Sequence, residues 1–302
     1  MRRDMDLWQC AVVDRPIELL NQEELDVCNL VWLPSPASYA FRADPFGLWR
    51  NGHLCVFVES MDYRVRIGHI EVLEYDSSLQ LCSAKTVLAE PWHLSYPFVF
   101  EAEGETWMLP EAYRSGTLTL YRALRFPDQW EAVCSMPLDG PAIDASVIRF
   151  EDRWWMFYSP YGNQQRRRSH LHLAWADQLV GPWHLHPLNP VRVDSASGRP
   201  GGTPFVRDGK IELPVQDCRV TYGGAIRRLR VSALDKKYFE ATDSPWLHAP
   251  SRANPYVEGL HTLSAAGPLS LIDVKRTDNS WRANAVRIRG VVSRHLRERS
   301  HR

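Results

Sequence analysis

The stretch HLSYPFVFEAEGETWMLPEA, residues 93–112, has the pattern of a β-hairpin with polar residues at both ends. Aromatic and β-branched residues lead to a turn at Gly104, and more apolar residues follow it. His93 and Tyr96 stand at the start of the hairpin, and Glu111 stands at its finish. Because the two strands of a hairpin are antiparallel, its start and its finish lie side by side. The pattern therefore predicts that these polar groups face one site.

The hairpin pattern occurs five times along the chain. Its turns at residues 52, 104, 152, 209 and 267 are spaced by 52, 48, 57 and 58 residues. The four relatives of the first hairpin are DPFGLWRNGHLCVFVE (44–59), DASVIRFEDRWWMFYS (144–159), TPFVRDGKIELPVQD (203–217) and the weaker HTLSAAGPLSLIDV (261–274). A repeat of this length that opens with an apolar hairpin is typical of the four-stranded blades of a β-propeller. We predict an all-β, five-bladed β-propeller, and an irregular β-sandwich is the less favoured alternative.

The repeat also predicts how the chain is divided. Residues 1–302 are expected to form a single domain with blades near 41–90, 91–140, 141–195, 198–250 and 256–290. Outer strands are predicted at RIGHIEVLEYD, LTLYRAL, LHLAWAD and IRRLRVSAL, and a closing strand at LWQCAVV near the N-terminus. The last segment, RANAVRIRGVVSRHLRERSHR, is predicted to be a final strand that continues into a short basic helical tail.

Composition argues against several classes of partner. Lys and Arg together number 36, as do Asp and Glu, so no charge excess indicates nucleic acid or a membrane surface. The six cysteines are widely spaced without a C-x-x-C pair, which is neither a zinc pattern nor a dense disulfide framework. The N-terminus is charged, and no apolar run is long enough to cross a bilayer. We predict a cytoplasmic protein without a transmembrane segment, cofactor or metal; the oligomeric state stays open.

Alignment of the copies shows which polar residues share a position. The first strands start at Asp44, Tyr96, Asp144, Thr203 and His261, and the second strands end at Glu59, Glu111, Ser159, Asp217 and Asp273. Both sets are expected at one end of the molecule, where the ring comprises Asp44, His93, Glu111, Asp144, Asp217 and His261. Such a ring is too polar for a packed core without a cavity or a ligand. For any single aspartate, the alternative is a turn anchor before a strand.

Crowded carboxylates indicate glycosyl chemistry, because burial and mutual repulsion leave one group protonated and another ionised. We assign Asp44 as base or nucleophile and Glu111 as acid, while Asp144 tunes pKa values or holds hydroxyl groups. The predicted substrate-binding residues are His93, Tyr96, Arg199, Asp217, Tyr222 and His261. Aromatic rings can stack on sugar faces, and Arg199 could bind a carboxylate or phosphate.

Several motifs together resemble one family. They include FRADPF, the opening hairpin, LYRALRFPDQW, RPGG and GLHTL, spread from Arg42 to Asp273. This set resembles the propeller-like N-terminal domain of plant glucosamine inositolphosphorylceramide transferases, which also occurs in bacterial proteins. More distantly it resembles the five-bladed propeller glycosidases, such as arabinanases, β-xylosidases and invertases.

The glycosidase resemblance implies three acids, of which two match here. Asp44 in its ADP motif and Asp144 fit the aspartates of the first and third blades. The glutamate of the fourth blade has no counterpart, because this chain reads RPGGTPF over residues 199–205. We therefore favour transfer of a glycosyl group, from a carbohydrate or sugar-nucleotide substrate, in glycan or glycoconjugate assembly. Glycoside hydrolysis by the same carboxylates and non-catalytic glycan binding are the alternatives.

Overall fold

The computed structural model describes residues 5–300, and these form five antiparallel sheets. The sheets are the blades of a five-bladed β-propeller, so the fold predicted from the repeat is confirmed. The N-terminal strands are β1 (Met5–Val13) and β2 (Leu30–Trp32). Blade one contains β3 (Ala40–Arg50), β4 (His53–Asp62), β5 (His69–Tyr75) and β6 (Leu81–Leu88). Blade two contains β7 (Ser95–Ala102), β8 (Glu105–Glu111), β9 (Leu118–Arg125) and β10 (Gln129–Met136).

The later blades are less regular. Blade three contains β11 (Ala142–Phe150), β12 (Arg153–Pro160) and β13 (His170–Ala176), with β14 (His184–Leu185) and β15 (Arg192–Val193) both beside β13. Blade four contains β16 (Arg199–Pro200), β17 (Phe205–Arg207), β18 (Lys210–Asp217), β19 (Ala225–Leu234) and β20 (Phe239–Asp243). The last two strands are β21 (Gly259–Ala266) and β22 (Leu269–Asp278). The α-helices are α1 (Gln22–Val27), α2 (Gln164–Ser169) and α3 (Trp281–Ser300).

Blade five joins the two ends of the chain. Strands β21 and β22 form the weak fifth hairpin of the repeat, and β1 pairs with β22 over its whole length from Met5 to Val13. Strand β2 pairs with the other edge of β1, so the blade has the order β2-β1-β22-β21. The predicted closing strand is therefore confirmed, and the propeller ring is held shut by main-chain hydrogen bonds between its termini.

The core lies between the blades. Val56, Phe57 and Val58 are consecutive in β4 and all are fully buried. Both faces of such a strand are covered by neighbouring sheets, which explains why the second strands read as continuous apolar runs and do not alternate with polar residues. The six cysteines are unpaired and four of them are buried, of which Cys10, Cys28 and Cys55 belong to the apolar core.

The C-terminal segment differs from the prediction. Trp281–Ser300 is one helix, so the predicted final strand before the basic tail is wrong. The outer edge of β22 is already occupied by β1, which leaves no edge there for another strand. The segment instead packs its first turns on β1, with Ala283 and Val286 against Met5 and Leu7. Within residues 5–300, no helix has both the length and the apolar character needed to cross a membrane.

Candidate active site

A break in the inner strand of four blades positions the predicted site residues. The ladder register shifts between Ala43 and Phe46, Ser95 and Phe98, Ile143 and Ser146, and Leu260 and Leu263. Asp44, Tyr96 and Asp144 lie in these breaks and have positive φ angles of 51°, 45° and 50°. A β-bulge leaves two residues outside the ladder and bends the strand, which frees their side chains and N–H groups from sheet pairing. The same β-bulge therefore recurs in the inner strand of each of these four blades.

The carboxylate of Asp273, in the middle of β22, binds the freed N–H groups of blades one and five. Asp273 accepts hydrogen bonds from the backbone N–H groups of Asp44 (2.9 Å), His261 (3.2 Å) and Thr262 (2.9 Å). The Asp273 side chain is fully buried. A buried carboxylate with this many donors fixes the two bulges relative to one another across the seam of the propeller.

The bulges and the ends of the second strands surround one cavity of about 280 Å³. Seven of the nine residues predicted from the sequence line it, namely Asp44, His93, Glu111, Asp144, Arg199, Tyr222 and His261. Further lining residues are Asp6, Trp8, Phe41, Glu59, Met61, Tyr63 and Ser95. The inner hairpins thus bring polar residues from all five blades together at one mouth of the channel.

His261 links the carboxylates of Asp44 and Asp273. Its Nδ1 lies 2.7 Å from a carboxylate oxygen of Asp273, and its Nε2 lies 3.2 Å from Oδ1 of Asp44. Burial opposes the charge on the imidazole, but the two carboxylates outweigh it and raise the pKa of His261. The indole of Trp8 stacks on the ring at a centroid distance of 3.8 Å. With an acceptor at each nitrogen, His261 is held as an imidazolium in a fixed orientation.

The pKa of Asp44 lies near neutral pH. Burial raises its pKa to about 6, although the nearby His261 acts in the opposite direction. Its Oδ1 accepts from the Thr262 hydroxyl (3.1 Å), and its Oδ2 accepts from the backbone N–H of Tyr96 (3.2 Å). A carboxylate with this pKa is ionised at neutral pH yet can still take up a proton.

Glu111 and Asp144 form a coupled pair of carboxyl groups. Oε2 of Glu111 accepts from the backbone N–H of Asp144 at 3.3 Å, and the two side chains share a hydrogen bond. Burial and then the Asp144 charge hold the pKa of Glu111 well above its ordinary value. On the other side, Oδ2 of Asp144 binds Nε of Arg199 at 2.6 Å and the Gln216 amide at 2.8 Å. The Glu111 carboxyl group therefore holds its proton more tightly than an ordinary glutamate does.

Glu59 and His93 form a second pair of titratable groups at the cavity wall. Nδ1 of His93 accepts from the backbone N–H of Gly68 at 2.8 Å, so the ring proton is on Nε2, which lies 3.3 Å from Glu59. Burial, and then the charge of Asp44, hold the pKa of Glu59 well above its ordinary value. The cavity thus contains two glutamates with raised pKa values, Glu59 and Glu111, in different hydrogen-bond settings.

Two residues predicted to bind substrate do not line the cavity. Tyr96 is fully buried, and its hydroxyl joins three blades by accepting from the Gly202 N–H (2.7 Å) and bonding the Ser146 hydroxyl (2.9 Å). Asp217 instead binds the backbone and guanidinium of Arg219 at 2.9 Å and 2.8 Å. In blade four, therefore, the carboxylate at the end of the second strand pairs locally.

Glu59 and Asp273 belong to the site but were not among the predicted site residues. Glu59 occupies the same ladder position as Glu111, directly after the residue opposite the bulge, whereas Asp273 itself lies opposite the bulge of blade five. The sequence alignment of the second-strand ends had grouped all three, so it already carried the signal for them. Trp8 and Tyr63 lie outside the aligned hairpins, and no repeat position indicated them. Their place depends on how β1 closes blade five.

One group of side chains has the donor set of a metal site. Single ligand atoms of Asp44, His261 and Asp273 lie within 4.8 Å of one another. Both nitrogens of His261 already face carboxylates, so a bound cation would have to replace a ring proton. The hydrogen-bonded imidazolium accounts for this arrangement, and the absence of a metal or cofactor stays a prediction.

Sequence comparison identifies the family. The model of the family "Glucosamine inositolphosphorylceramide transferase 1, N-terminal" matches residues 27–259. The chain is 33% identical over 240 residues to glucosamine inositolphosphorylceramide transferase 1 of Oryza sativa subsp. indica, with 75% of this chain and 32% of the relative covered. It is 31% identical over 216 residues to the Arabidopsis thaliana protein of that name, with 70% and 28% covered. The chain thus spans about a third of the length of these relatives.

Solved structures resemble the chain in fold. A family 117 glycoside hydrolase of the marine bacterium Zobellia galactanivorans superposes with a TM-score of 0.55 at 12% identity, covering 90% of this chain and 91% of that one. The catalytic domain of the Coprinopsis cinerea GH62 α-L-arabinofuranosidase gives a TM-score of 0.58 at 15% identity, with 82% and 96% covered. At this identity the likeness concerns the propeller alone. By sequence, the chain belongs to the glucosamine inositolphosphorylceramide transferase 1 N-terminal family.

Proposed function

We propose that this chain transfers a glycosyl group in the assembly of a glycan or glycoconjugate, with the reaction at the channel mouth. The observation that carries the proposal is the pair of carboxyl groups in one cavity. Burial keeps Glu111 protonated, while Asp44 has a pKa of about 6. An acid and a base whose pKa values differ in this way suit displacement at a glycosidic carbon.

In the proposed reaction, Asp44 removes the proton from an acceptor hydroxyl as its oxygen attacks the glycosidic carbon. The bond from that carbon to the leaving oxygen breaks, and the proton of Glu111 passes to the leaving group. One C–O bond forms as another breaks, and exchange with water afterwards returns the proton from Asp44 to Glu111. His261 and Thr262 hold Asp44 in place through its Oδ1.

The remaining cavity residues would bind and orient the sugar. Asp144, fixed by Arg199, stabilises the protonated form of Glu111, because two adjacent buried carboxylates resist ionising together. Trp8 and Tyr222 offer ring surface beside His261 for an apolar sugar face. His93 and Ser95 offer polar groups for hydroxyls.

Two observations favour transfer over hydrolysis. The relatives are named as transferases, and that name includes a glycosylated inositol phosphate lipid. In addition, blade four presents an arginine and two glycines where the glycosidase resemblance implies a glutamate. Because the chain covers about a third of those relatives, their activity is offered for this chain as a proposal only.

The test is a paired substrate panel with the purified chain. Labelled sugar nucleotides with lipid and glycan acceptors form one arm, and aryl glycosides form the other. Product formation with an activated donor and an acceptor supports transfer. Release of the aryl group without any donor supports hydrolysis, the second candidate, which the propeller fold favours. Sugar binding without turnover in either arm overturns the enzymatic proposal and supports a glycan-binding module.

A further inference from the structure

A basic recess adjoins the active-site cavity. It has a volume of about 480 Å³, and its walls include Arg167 and Arg168 of α2 and Thr221 and Tyr222 of the loop after β18. Both arginine side chains are half-buried. The helix α2 follows β12 directly, so blade three places these guanidinium groups beside blade four.

The recess and the cavity share a wall. Tyr222 and Asp6 line both spaces. Arg168 and Arg199 both approach the Tyr222 ring, with their guanidinium carbons 5.6 Å and 4.9 Å from its centre. Arg199, which binds Asp144 in the cavity, also donates to the backbone carbonyl of Arg167 at 3.3 Å. A ligand that extends out of the cavity past Tyr222 would therefore enter the recess.

The two arginines of the recess differ from many other described arginines of the propeller in what they contact. Arg42 and Arg122, for example, pair with Glu71 and Glu131, as many arginines of the propeller do. Among the described residues, no carboxylate lies within ion-pair distance of Arg167 or Arg168; their contacts are with Tyr161, Tyr222 and the amide of Gln164.

A third cation lies behind the recess. Lys275 is buried and donates to the Thr221 hydroxyl (2.8 Å) and the Tyr222 carbonyl (2.6 Å). Its Nζ is 3.9 Å from Asp6, the one carboxylate among the residues that line the recess. The positive groups thus exceed the negative ones locally, although the whole chain has no net charge. Because this excess of positive charge is confined to the recess, it favours one bound anionic group over general binding of polyanions.

We propose that this recess binds a phosphate group carried by the glycosyl substrate, so that the sugar lies in the cavity and the phosphate lies against Arg167 and Arg168. Guanidinium groups match phosphate oxygens in bidentate pairs, and partial burial strengthens the pairing. The proposal rests on the proposed function, since it extends the substrate of that same cavity. The same phosphate chemistry occurs in two candidate substrates. One is a nucleoside diphosphate sugar as the donor, and the other is a phospholipid headgroup as the acceptor.

The test measures binding, not turnover. Glucose, glucose 1-phosphate and UDP-glucose are titrated calorimetrically into the full chain, into an Arg167→Gln/Arg168→Gln double variant and into Arg149→Gln. Arg149 is a matched control because it is exposed at the far end of the strand that carries Asp144. Sedimentation with phosphatidylcholine vesicles, with and without phosphatidylinositol, tests the lipid source. Preference for UDP-glucose identifies the donor phosphate, and preference for the phosphatidylinositol vesicles identifies the headgroup.

The expected result is that phosphorylated probes bind more tightly than their unphosphorylated counterparts. The double variant should lose this preference by about tenfold to a hundredfold, one to two decades in Kd, whereas Arg149→Gln should keep it. The preference should shrink as salt is added. Equal binding of phosphorylated and unphosphorylated probes, including no binding of either, overturns the proposal, as does an unchanged double variant. Asp44→Asn should retain the preference, so loss of turnover and loss of phosphate binding are separable.

Discussion

Blades three and four share the hairpin turn but present different chemistry at the channel mouth. In blade three, a bulge at Asp144 turns a carboxylate into the cavity, and Arg199 fixes it there. In blade four, the inner strand is interrupted between Arg199–Pro200 and Phe205–Arg207, and the carboxylate of Asp217 pairs locally with Arg219. The repeat therefore determines where a residue lies, and local contacts determine whether it faces the cavity.

The largest expected effect concerns the backbone of blade four. Gly202 has a φ of +150°, and a Cβ there would overlap the carbonyl oxygen of Leu263 in blade five. Gly202→Ala should therefore lower the free energy of unfolding by more than about 4 kcal/mol, which would leave little folded protein. Denaturant unfolding followed by tryptophan fluorescence measures this loss.

Gly209→Ala is the matched control in the same blade. Gly209 also has a positive φ, of +69°, but open space surrounds its Cβ position. That substitution should cost only about 1–2 kcal/mol, from backbone strain. Equal costs for the two alanines would show that close approach between blades four and five is not what requires glycine at residue 202.

The next effect compares two carboxylates, each in the last residue of the second strand of its blade. Glu111→Gln removes the proposed acid and should reduce turnover by about 10²–10⁴-fold. Asp217→Asn, with its side chain outside the cavity, should change turnover less than about twofold. Steady-state rates on the substrate found in the panel measure both. Equal losses of turnover in the two variants would mean that facing the cavity does not distinguish the proposed acid, Glu111, from Asp217.

A smaller effect is expected in the pH dependence. Asp44 has a pKa of about 6 and acts in its ionised form, so turnover should fall about tenfold per pH unit below pH 6. The hydrogen bond from Thr262 lowers that pKa, so Thr262→Val should move the acidic limb to higher pH. Profiles of kcat/KM against pH for the two proteins provide the comparison. A limb that stays in place or moves to lower pH would contradict the role of Asp44.

The smallest effect is on stability. The raised pKa of Glu59 means that the folded state holds its proton more tightly than the unfolded state. This group's contribution to stability is full below its unfolded pKa and is lost as the pH rises through its folded pKa. Glu59→Gln removes the ionisation that causes this loss of stability. The Tm of the variant minus the Tm of the wild type should therefore increase as the pH rises. The gain should be a few degrees, at roughly 2–4 °C per kcal/mol. A difference in Tm that does not vary with pH would contradict this interpretation.

The sequence predicted most of the fold because the hairpin recurs with its turns in register. It also predicted that Asp44, Glu111, Asp144 and His261 lie at one mouth of the channel, since strand ends in a propeller converge. Tyr96 does not line the cavity, because its own bulge, between Ser95 and Phe98 of blade two, places the tyrosine ring in contacts among three blades. The sequence of one copy of the repeat does not show which other blades its side chains contact.

Two further features lay beyond the repeat. Trp8 reaches the cavity through the pairing of β1 with β22, a contact between residues more than 260 positions apart. The helix of Trp281–Ser300 was predicted to begin as a strand, although the sheet edge that such a strand needs is occupied by β1. Both depend on how the ring closes, which local sequence patterns do not encode.

The most direct test of the central claim is the turnover of Asp44→Asn with substrate binding measured on the same preparation. The account predicts that turnover falls by about 10³-fold, because the amide cannot accept the acceptor's proton, while Kd for the sugar substrate changes little. Near-wild-type turnover by a folded Asp44→Asn protein would contradict the account.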